Sequence, residues 1–158
     1  MSNSDAEARR AARLAAVQAL YQMEMMGSGA EEVAQEFIEH RFGELPVPPD
    51  QEFFSAILDG VPQHQIEIDR AIAGALSEKW KLERVDSILR ATLRAGVFEL
   101  VGRREVPARV VIDEYVAVAG AFFGGDEPGF VNAALDNIAR RKRATEFGLP
   151  TPEGEIEF

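Results

Sequence analysis

The sequence of 158 residues contains no cysteine. This excludes disulfides, thiolate zinc sites and a cysteine nucleophile, and it is compatible with a reducing cytoplasm. Only two histidines are present, His40 and His64, so few side chains can bind metals or transfer protons near neutral pH. His64 and Glu67 have the spacing of one metal-binding pair, but a di-iron bundle needs two such pairs. We therefore interpret His64 as a surface residue.

Long apolar segments and nucleotide-binding loops are also missing. No apolar run approaches the roughly 20 residues of a membrane-spanning helix. Residues 1–13 lack the apolar centre of a signal peptide, which predicts a cytoplasmic protein. The glycine-rich segment 120–125 follows a predicted helix rather than a strand, so it is not a dinucleotide-binding loop. The sequence therefore predicts a protein that is not an enzyme and needs no cofactor.

Charge is distributed unevenly along the chain. The formal net charge is −10, which taken alone argues against binding to nucleic acid. The basic residues nevertheless fall into three groups: Arg9, Arg10 and Arg13; the segment 79–109; and Arg-Arg-Lys-Arg at 140–143. A polyanion responds to charges within a Debye length of roughly 8–10 Å, so these groups can act locally. Solvated helix faces and a flexible basic segment are the alternative interpretation.

Hydrophobic periodicity predicts helices only. Forty-six per cent of the residues are hydrophobic, which suffices for a core. We predict an all-α bundle of six to seven helices spanning residues 1–143, followed by an acidic, disordered tail at 144–158. Gly96 lies on a buried stripe and predicts the close approach of another helix. The first predicted helix follows Ser4 and has a stripe of Leu14, Val17 and Tyr21. The second spans 31–42, and a further helical segment begins at Asp50 and continues through a break at Pro62. Two more helices span 83–103 and 110–123, and the last begins after Asp126.

The first predicted helix carries arginines in its first turns. Positive charge at a helix N-terminus opposes the helix dipole, so a ligand offers an explanation for it. Guanidinium groups bind phosphate in bidentate fashion and stack on bases. We expect Arg9, Arg10 and Arg13 to project from this helix, although an arginine-rich helix can also serve solubility alone.

The start of the last helix is a second candidate for contact with nucleic acid. Phe130 lies at the edge of the stripe formed by Val131, Leu135 and Ile138, and we expect it to be partly exposed. Exposed aromatic rings stack on single-stranded bases. Asp126 can cap the helix or accept a base amino group. Packing of Phe130 against the flank of the core is the alternative. The functional hypothesis requires the three arginines and Phe130 to lie close together.

Four segments resemble the NusB family of transcription antitermination factors. They are Arg9–Tyr21 with its A-V-Q-A-L-Y core, Leu93–Leu100 (LRAGVFEL), Val106-Pro107 followed by 111–116 (VIDEYV), and Phe130–Asp136 (FVNAALD). The segments occur in the order of the family and together span residues 9–136.

The resemblance implies two small helical bundles and RNA binding without catalysis. It implies a NusE-like ribosomal protein as partner, single-stranded boxA RNA of ribosomal RNA leaders as ligand, and a role in the antitermination complex of RNA polymerase. A homodimer is left open. The residues that the resemblance assigns to RNA binding are Arg9, Arg10, Arg13, Gln18, Tyr21, Asp126 and Phe130.

Two other functions are weighed. NusB-like domains also occur at the front of ribosomal RNA cytosine methyltransferases, but this chain has neither a cofactor-binding βαβ unit nor a cysteine. A helical scaffold that binds only protein is the second alternative. In a scaffold the arginines would be solvated and Phe130 would be packed.

Overall fold

The computed structural model describes residues 3–76 and 81–150, and these residues form helices without strands. The prediction of an all-α protein is confirmed. Three short 3₁₀ turns lie at Phe42–Glu44, Leu82–Arg84 and Ala144–Phe147. The α-helices are α1 (Asn3–Met26), α2 (Ala30–His40), α3 (Gln51–Gln63), α4 (Gln65–Ala75), α5 (Ser87–Gly102), α6 (Ala108–Phe122) and α7 (Glu127–Lys142).

The chain divides into two compact units at Gln63 and His64. The N-terminal unit contains α1, α2 and α3, and the C-terminal unit contains α4 to α7. The two predicted sub-bundles are thereby confirmed. Among the described helices, none has both the length and the apolar character that a membrane crossing requires.

In the N-terminal unit α1 packs on both α2 and α3. Its end is set by Gly27, whose φ of +67° places it in the left-handed region that glycine adopts without strain. The start of α3 is capped by Asp50, whose Oδ1 accepts the Phe53 N–H at 3.0 Å. The core contains Phe54, which stacks on Phe37 with ring centroids 5.7 Å apart.

The buried face of α1 differs from the predicted stripe. Val17 is buried as expected, but Leu14 is only half-buried and Tyr21 is 37% exposed. Most of the buried face consists of small side chains, which let α2 and α3 approach α1 closely. These are Ala12, Ala15, Ala16 and Ala19, together with Val17 and Leu20.

Helix α5 is the central element of the C-terminal unit, where it packs on α4, α6 and α7. Nearly every residue from Leu89 to Val101 is buried. Its start lies four residues later than the sequence predicts, because Asp86 caps the helix by accepting the Ile88 N–H at 2.9 Å. Arg90 holds the preceding turn through a 2.6 Å hydrogen bond from its Nη1 to the Val85 carbonyl.

The close helix approach predicted at Gly96 is present between α5 and α7. A Cβ placed on Gly96 would lie 2.9 Å from Cδ1 of Leu135. Such a distance is too short for two carbon atoms, so the absent side chain at position 96 is what lets α7 pack here.

The end of α7 is fastened by the buried side chain of Arg143, which is 3% exposed. Its Nε donates to the Leu100 carbonyl at 2.6 Å, and its Nη1 donates to the Val106 carbonyl at 2.8 Å. Nη1 also lies 2.7 Å from Oε2 of Glu146. Part of the basic segment 140–143 is therefore an internal contact rather than a flexible extension.

The tail does not begin at Ala144 as predicted. Ala144–Phe147 form a 3₁₀ turn, and Ala144 is buried. Oε1 of Glu146 accepts the Ala108 N–H at 2.9 Å, which satisfies a free donor at the start of α6. The boundary predicted between 143 and 144 is wrong for these four residues, while residues 151–158 of the predicted tail lie outside the described residues.

The pKa of Glu146 is set by opposing influences. Burial raises it, whereas the hydrogen bond from the Ala108 N–H and the charge of Arg143 lower it. The lowering influences win, so the pKa lies below the ordinary value of 4.5.

A carboxyl group whose pKa is lowered by folding stabilises the fold only while it is ionised. The contribution of Glu146 is complete above its ordinary pKa and is lost as the pH falls through its folded-state pKa. We predict that Glu146→Gln lowers the free energy of unfolding near neutral pH and that this difference shrinks in acid. Urea unfolding across the acidic range measures it, with the exposed Glu32→Gln as control. Parallel pH profiles for wild type and Glu146→Gln would contradict the prediction.

We also predict that Gly96→Val destabilises the protein by about 2 kcal/mol, because its added methyl groups overlap Leu135. Gly120→Val is the matched control, since Gly120 lies in α6 with no atom within 4 Å of its missing Cβ. Thermal unfolding followed by circular dichroism compares the two variants. Equal midpoints would show that α7 yields easily at this position.

Candidate nucleic-acid interface

The three arginines in the first turns of α1 have different environments. Arg13 is 3% exposed, Arg9 is half-buried and Arg10 is exposed. The expectation that all three project into solvent is wrong for Arg13. Residue 13 lies on the same side of the helix as Val17 and Leu20, four and seven positions later, and all three are buried.

Arg9 and Arg13 share one aromatic ring. The guanidinium carbon of Arg9 lies 4.6 Å from the centroid of Phe53, and that of Arg13 lies 5.0 Å from it. Both distances are within the range of attractive cation–π contacts. Phe53 is fully buried, so the ring itself is fixed by the core.

Asp50 connects these arginines to the start of α3. Its Oδ2 lies 3.9 Å from Nε of Arg9, and its backbone N–H donates to the Ala8 carbonyl at 3.0 Å. Its negative charge offsets the cost of a cation near the α3 N-terminus. Because Arg9 and Arg13 are held in place before any ligand arrives, binding there loses less side-chain entropy.

The solvent-facing side of α1 combines polar and aromatic groups. Arg10, Gln18 and Tyr21 fall within an arc of about 80° at 3.6 residues per turn. We call these three residues the α1 strip. All three are exposed. The strip offers a guanidinium for phosphate, an amide for base edges and a ring for stacking.

The start of α7 places Asp126 and Phe130 one turn apart. Phe130 is half-buried, as its position at the edge of the apolar stripe predicts. Asp126 occupies the N-cap position, but its side chain makes no capping hydrogen bond. The predicted capping role of this carboxylate is therefore wrong, and the exposed group is available to a ligand.

Glu127 lies at the same helix start, and no sequence pattern marked it as a candidate. Its Oε2 is buried without a hydrogen-bond partner, and within residues 3–76 and 81–150 it is the one such side-chain atom. A Cβ on Gly125 would lie 3.0 Å from this oxygen, so glycine there leaves room for the carboxylate. A buried acceptor without a donor costs free energy.

Two arginines of the basic segment 79–109 have an internal role. Arg90 is buried against backbone carbonyls, and Arg94 makes two hydrogen bonds to Asp69 at 2.9 and 3.0 Å. Arg90 and Arg94 therefore do not contribute to the local positive charge that the sequence predicts for this segment. Lys79 lies outside the described residues.

The structure brings Arg9, Arg13 and Asp50 together around Phe53, and separately Asp126, Glu127 and Phe130 at the start of α7. The predicted closeness of the arginines to Phe130 joins residues of different units and stays a prediction. In the part of the chain that the structure describes, no three His, Asp or Glu side chains are arranged to hold a metal ion.

Comparison with known proteins assigns the family. The NusB family model matches residues 10–140. The chain belongs to the NusB family. Among curated NusB-family relatives, the transcription antitermination protein NusB of Maricaulis maris is 55% identical over 92% of this chain and 94% of its own length. That of Caulobacter vibrioides is 51% identical over 90% of this chain and 99% of its own.

Solved structures of the NusB family share the fold. The NusB of T. maritima has a TM-score of 0.75 and 30% identity, and covers 89% of this chain and 97% of its own. A structure of antitermination factors NusB and NusE in complex with dsRNA has a TM-score of 0.73 and 25% identity over 85% of this chain and 97% of that chain.

The segments that resemble the NusB family serve both the core and the candidate interface. Glu99, in the LRAGVFEL segment, is buried and accepts a hydrogen bond from the buried hydroxyl of Tyr115 in the VIDEYV segment. These two segments join α5 to α6. The first and last segments instead supply the α1 strip and Phe130.

We predict that Arg10 and Arg13 differ in their effect on stability. Arg13→Gln should lower the free energy of unfolding by about 2 kcal/mol, because it removes a buried cation from the Phe53 ring. Arg10→Gln, at an exposed site, should change it by less than about 0.5 kcal/mol. Urea unfolding of both variants measures the difference. Equal effects would contradict the structural role of Arg13.

Proposed function

We propose that this protein is a transcription antitermination factor that binds boxA-type RNA of ribosomal RNA leader transcripts together with a NusE-like ribosomal protein. In this role it joins the antitermination complex of RNA polymerase and supports transcription of ribosomal RNA. The observation that carries the proposal is the match to antitermination proteins at 55 and 51% identity over nearly their whole length. The solved NusB–NusE complex with dsRNA supports the same ligand and partner classes.

The charge distribution explains why such a protein needs a partner. With a net charge of −10, the chain as a whole repels RNA. Its local cationic groups can still displace counterions from the phosphates, which contributes most of the electrostatic affinity. A basic ribosomal protein would add positive surface, so the heterodimer should bind RNA more tightly than this chain alone.

Each group of the candidate interface has a distinct task in the proposal. Arg10 contacts phosphate, and the fixed pair Arg9 and Arg13 strengthens the positive potential beside it. Gln18 and Tyr21 contact bases along the α1 strip. At the start of α7, Phe130 stacks on a base.

The carboxylates beside Phe130 favour bases over phosphates. Asp126 and Glu127 are acceptors, and the buried oxygen of Glu127 has no hydrogen-bond donor among the described residues. The exocyclic amino groups of adenine, cytosine and guanine are donors that suit them. A phosphate would be repelled at the same place, so this helix start should bind an extruded base.

The proposed role involves no catalytic step, and transcription places it in the cytoplasm. Positioning of RNA and partner accounts for the function through binding alone. The experiment that tests the proposal is therefore an equilibrium titration rather than an assay of turnover.

We predict that Arg10→Glu lowers the affinity for boxA RNA on the order of tenfold, because one phosphate contact is replaced by repulsion. Fluorescence anisotropy with labelled single-stranded boxA RNA, with the NusE-like partner present, measures the change. Arg70→Glu makes the same charge change at an exposed position of α4 and is the matched control. Circular dichroism on the same samples checks the helix content.

Further arms of the titration separate the alternatives. The same sequence as a duplex tests whether unpaired bases are needed, as stacking on Phe130 requires. Weak binding of wild type with and without the partner would favour the protein-binding scaffold. Unchanged affinity of Arg10→Glu at intact helix content would remove Arg10 from the interface.

A further inference from the structure

A second basic surface lies at the opposite end of α7 from Phe130. The end of α5, the start of α6 and the end of α7 meet there, around the ring of Phe147. We call this surface the basic platform. Its exposed cations are Arg104, Arg109 and Arg140.

The ring of Phe147 organises two of these cations. The guanidinium carbon of Arg140 lies 4.9 Å from the ring centroid, and that of Arg109 lies 5.4 Å from it. Phe147 itself is half-buried. Two guanidinium groups are thereby held against the same ring, and their like charges repel each other.

Backbone contacts fix the platform to the fold. Nη1 of Arg104 donates to the Lys142 carbonyl at 3.2 Å, which ties the end of α5 to the end of α7. The buried Arg143 donates at 2.6–3.3 Å to the carbonyls of Glu99, Leu100, Arg103 and Val106. The backbone segments that carry the exposed cations are therefore held together by hydrogen bonds.

Carboxylates near the platform reduce its charge only in part. Asp136 lies 2.8 Å from Arg140, Glu105 lies 2.7 Å from Arg103, and Glu146 lies 2.7 Å from Arg143. Arg103 and Arg143 do not belong to the exposed cations of the platform, whereas Arg140 does.

The helix dipoles favour the positive charge at the end of α7 but not the positive charge at the start of α6. Arg140 and Arg141 lie in the last turn of α7, where positive charge is favourable. Arg109 lies in the first turn of α6, where positive charge is unfavourable. Its position on Phe147 therefore brings cations together at a cost, and a polyanionic ligand would remove that cost.

We propose that the basic platform binds the phosphate backbone of RNA next to the boxA element, without reading its sequence. The inference rests on the proposed function. Arg140 follows Phe130 by ten residues, which places it about 15 Å further along the same helix. A strand with a base on Phe130 could thus continue along α7 to the platform.

RNA fits this surface better than an acidic protein segment does. The exposed cations are all arginines, whose guanidinium groups pair with phosphate in bidentate fashion and stack on bases. The ring of Phe147 holds two of these guanidinium groups in place. The platform should therefore lengthen the bound stretch of RNA rather than recruit another protein.

The test uses the full chain with its NusE-like partner and two RNAs: boxA alone, and boxA with a single-stranded uridine extension at either end. We predict that Arg109→Gln/Arg140→Gln lowers the slope of log affinity against log salt by about 1.4 for one extended RNA, at roughly 0.7 per lost phosphate contact. The slope for boxA alone should stay unchanged. Arg109→Lys/Arg140→Lys should keep most of the wild-type slope, because it keeps both charges.

Arg41→Gln/Arg70→Gln removes the same charge at two exposed positions outside the platform and is the matched control. An unchanged slope with both extended RNAs overturns the inference, as does an equal loss with boxA alone. Polyglutamate serves as a model of an acidic protein segment. If Arg109→Gln/Arg140→Gln loses polyglutamate binding but keeps its RNA binding, the platform is assigned to acidic proteins and the inference is also overturned. Failure of wild type to bind boxA alone counts against the proposed function, whereas the slope difference tests the platform.

Discussion

The buried guanidinium of Arg143 is the contact on which the architecture of the C-terminal unit most depends. A buried charge is stable only when hydrogen bonds replace its lost hydration. Arg143 meets this condition with carbonyls from the end of α5 and the following loop, together with the carboxylate of Glu146. One side chain thus joins the end of α5, the start of α6 and the end of α7. Because Glu146 belongs to this network, the turn Ala144–Phe147 after α7 is also fixed.

In the N-terminal unit, an aromatic ring rather than backbone carbonyls contacts the guanidinium groups that are withdrawn from solvent. Arg9 and Arg13 both lie against Phe53, and Asp50 joins this group to the start of α3. The arginines of this protein therefore have two roles. Some support the fold from within, and others remain at the surface, where an RNA strand can reach them. An acidic protein can in this way keep a small number of cations at chosen positions.

Hydrophobic periodicity predicted the helical class and the buried stripe that carries Gly96, because these depend on neighbours within one helix. The break predicted at Pro62 lies two residues later, since Pro62 is inside α3, which ends at Gln63, and α4 begins at Gln65. It misplaced the buried face of α1, since Ala12, Ala16 and Ala19 contribute little to a hydrophobic stripe although their size lets helices approach. The same error led to the wrong expectation that Arg13 projects into solvent. The contacts of Arg9 with Phe53 and of Arg143 with Leu100 join residues far apart in the sequence, and no local pattern reveals them. The candidate residues Arg10 and Phe130 came from the arginines at a helix start and from the edge of an apolar stripe, and Tyr21 came from the resemblance to the NusB family. The structure adds Glu127 and the platform around Phe147.

The missing side chain at Gly96 links two positions that are 39 residues apart in the chain. Any larger residue at 96 needs a smaller one at 135, so neither position can change alone without loss of packing. Among relatives the two sites should therefore evolve as a pair, and grafting α7 from one homologue onto another should succeed only when both residues are transferred together.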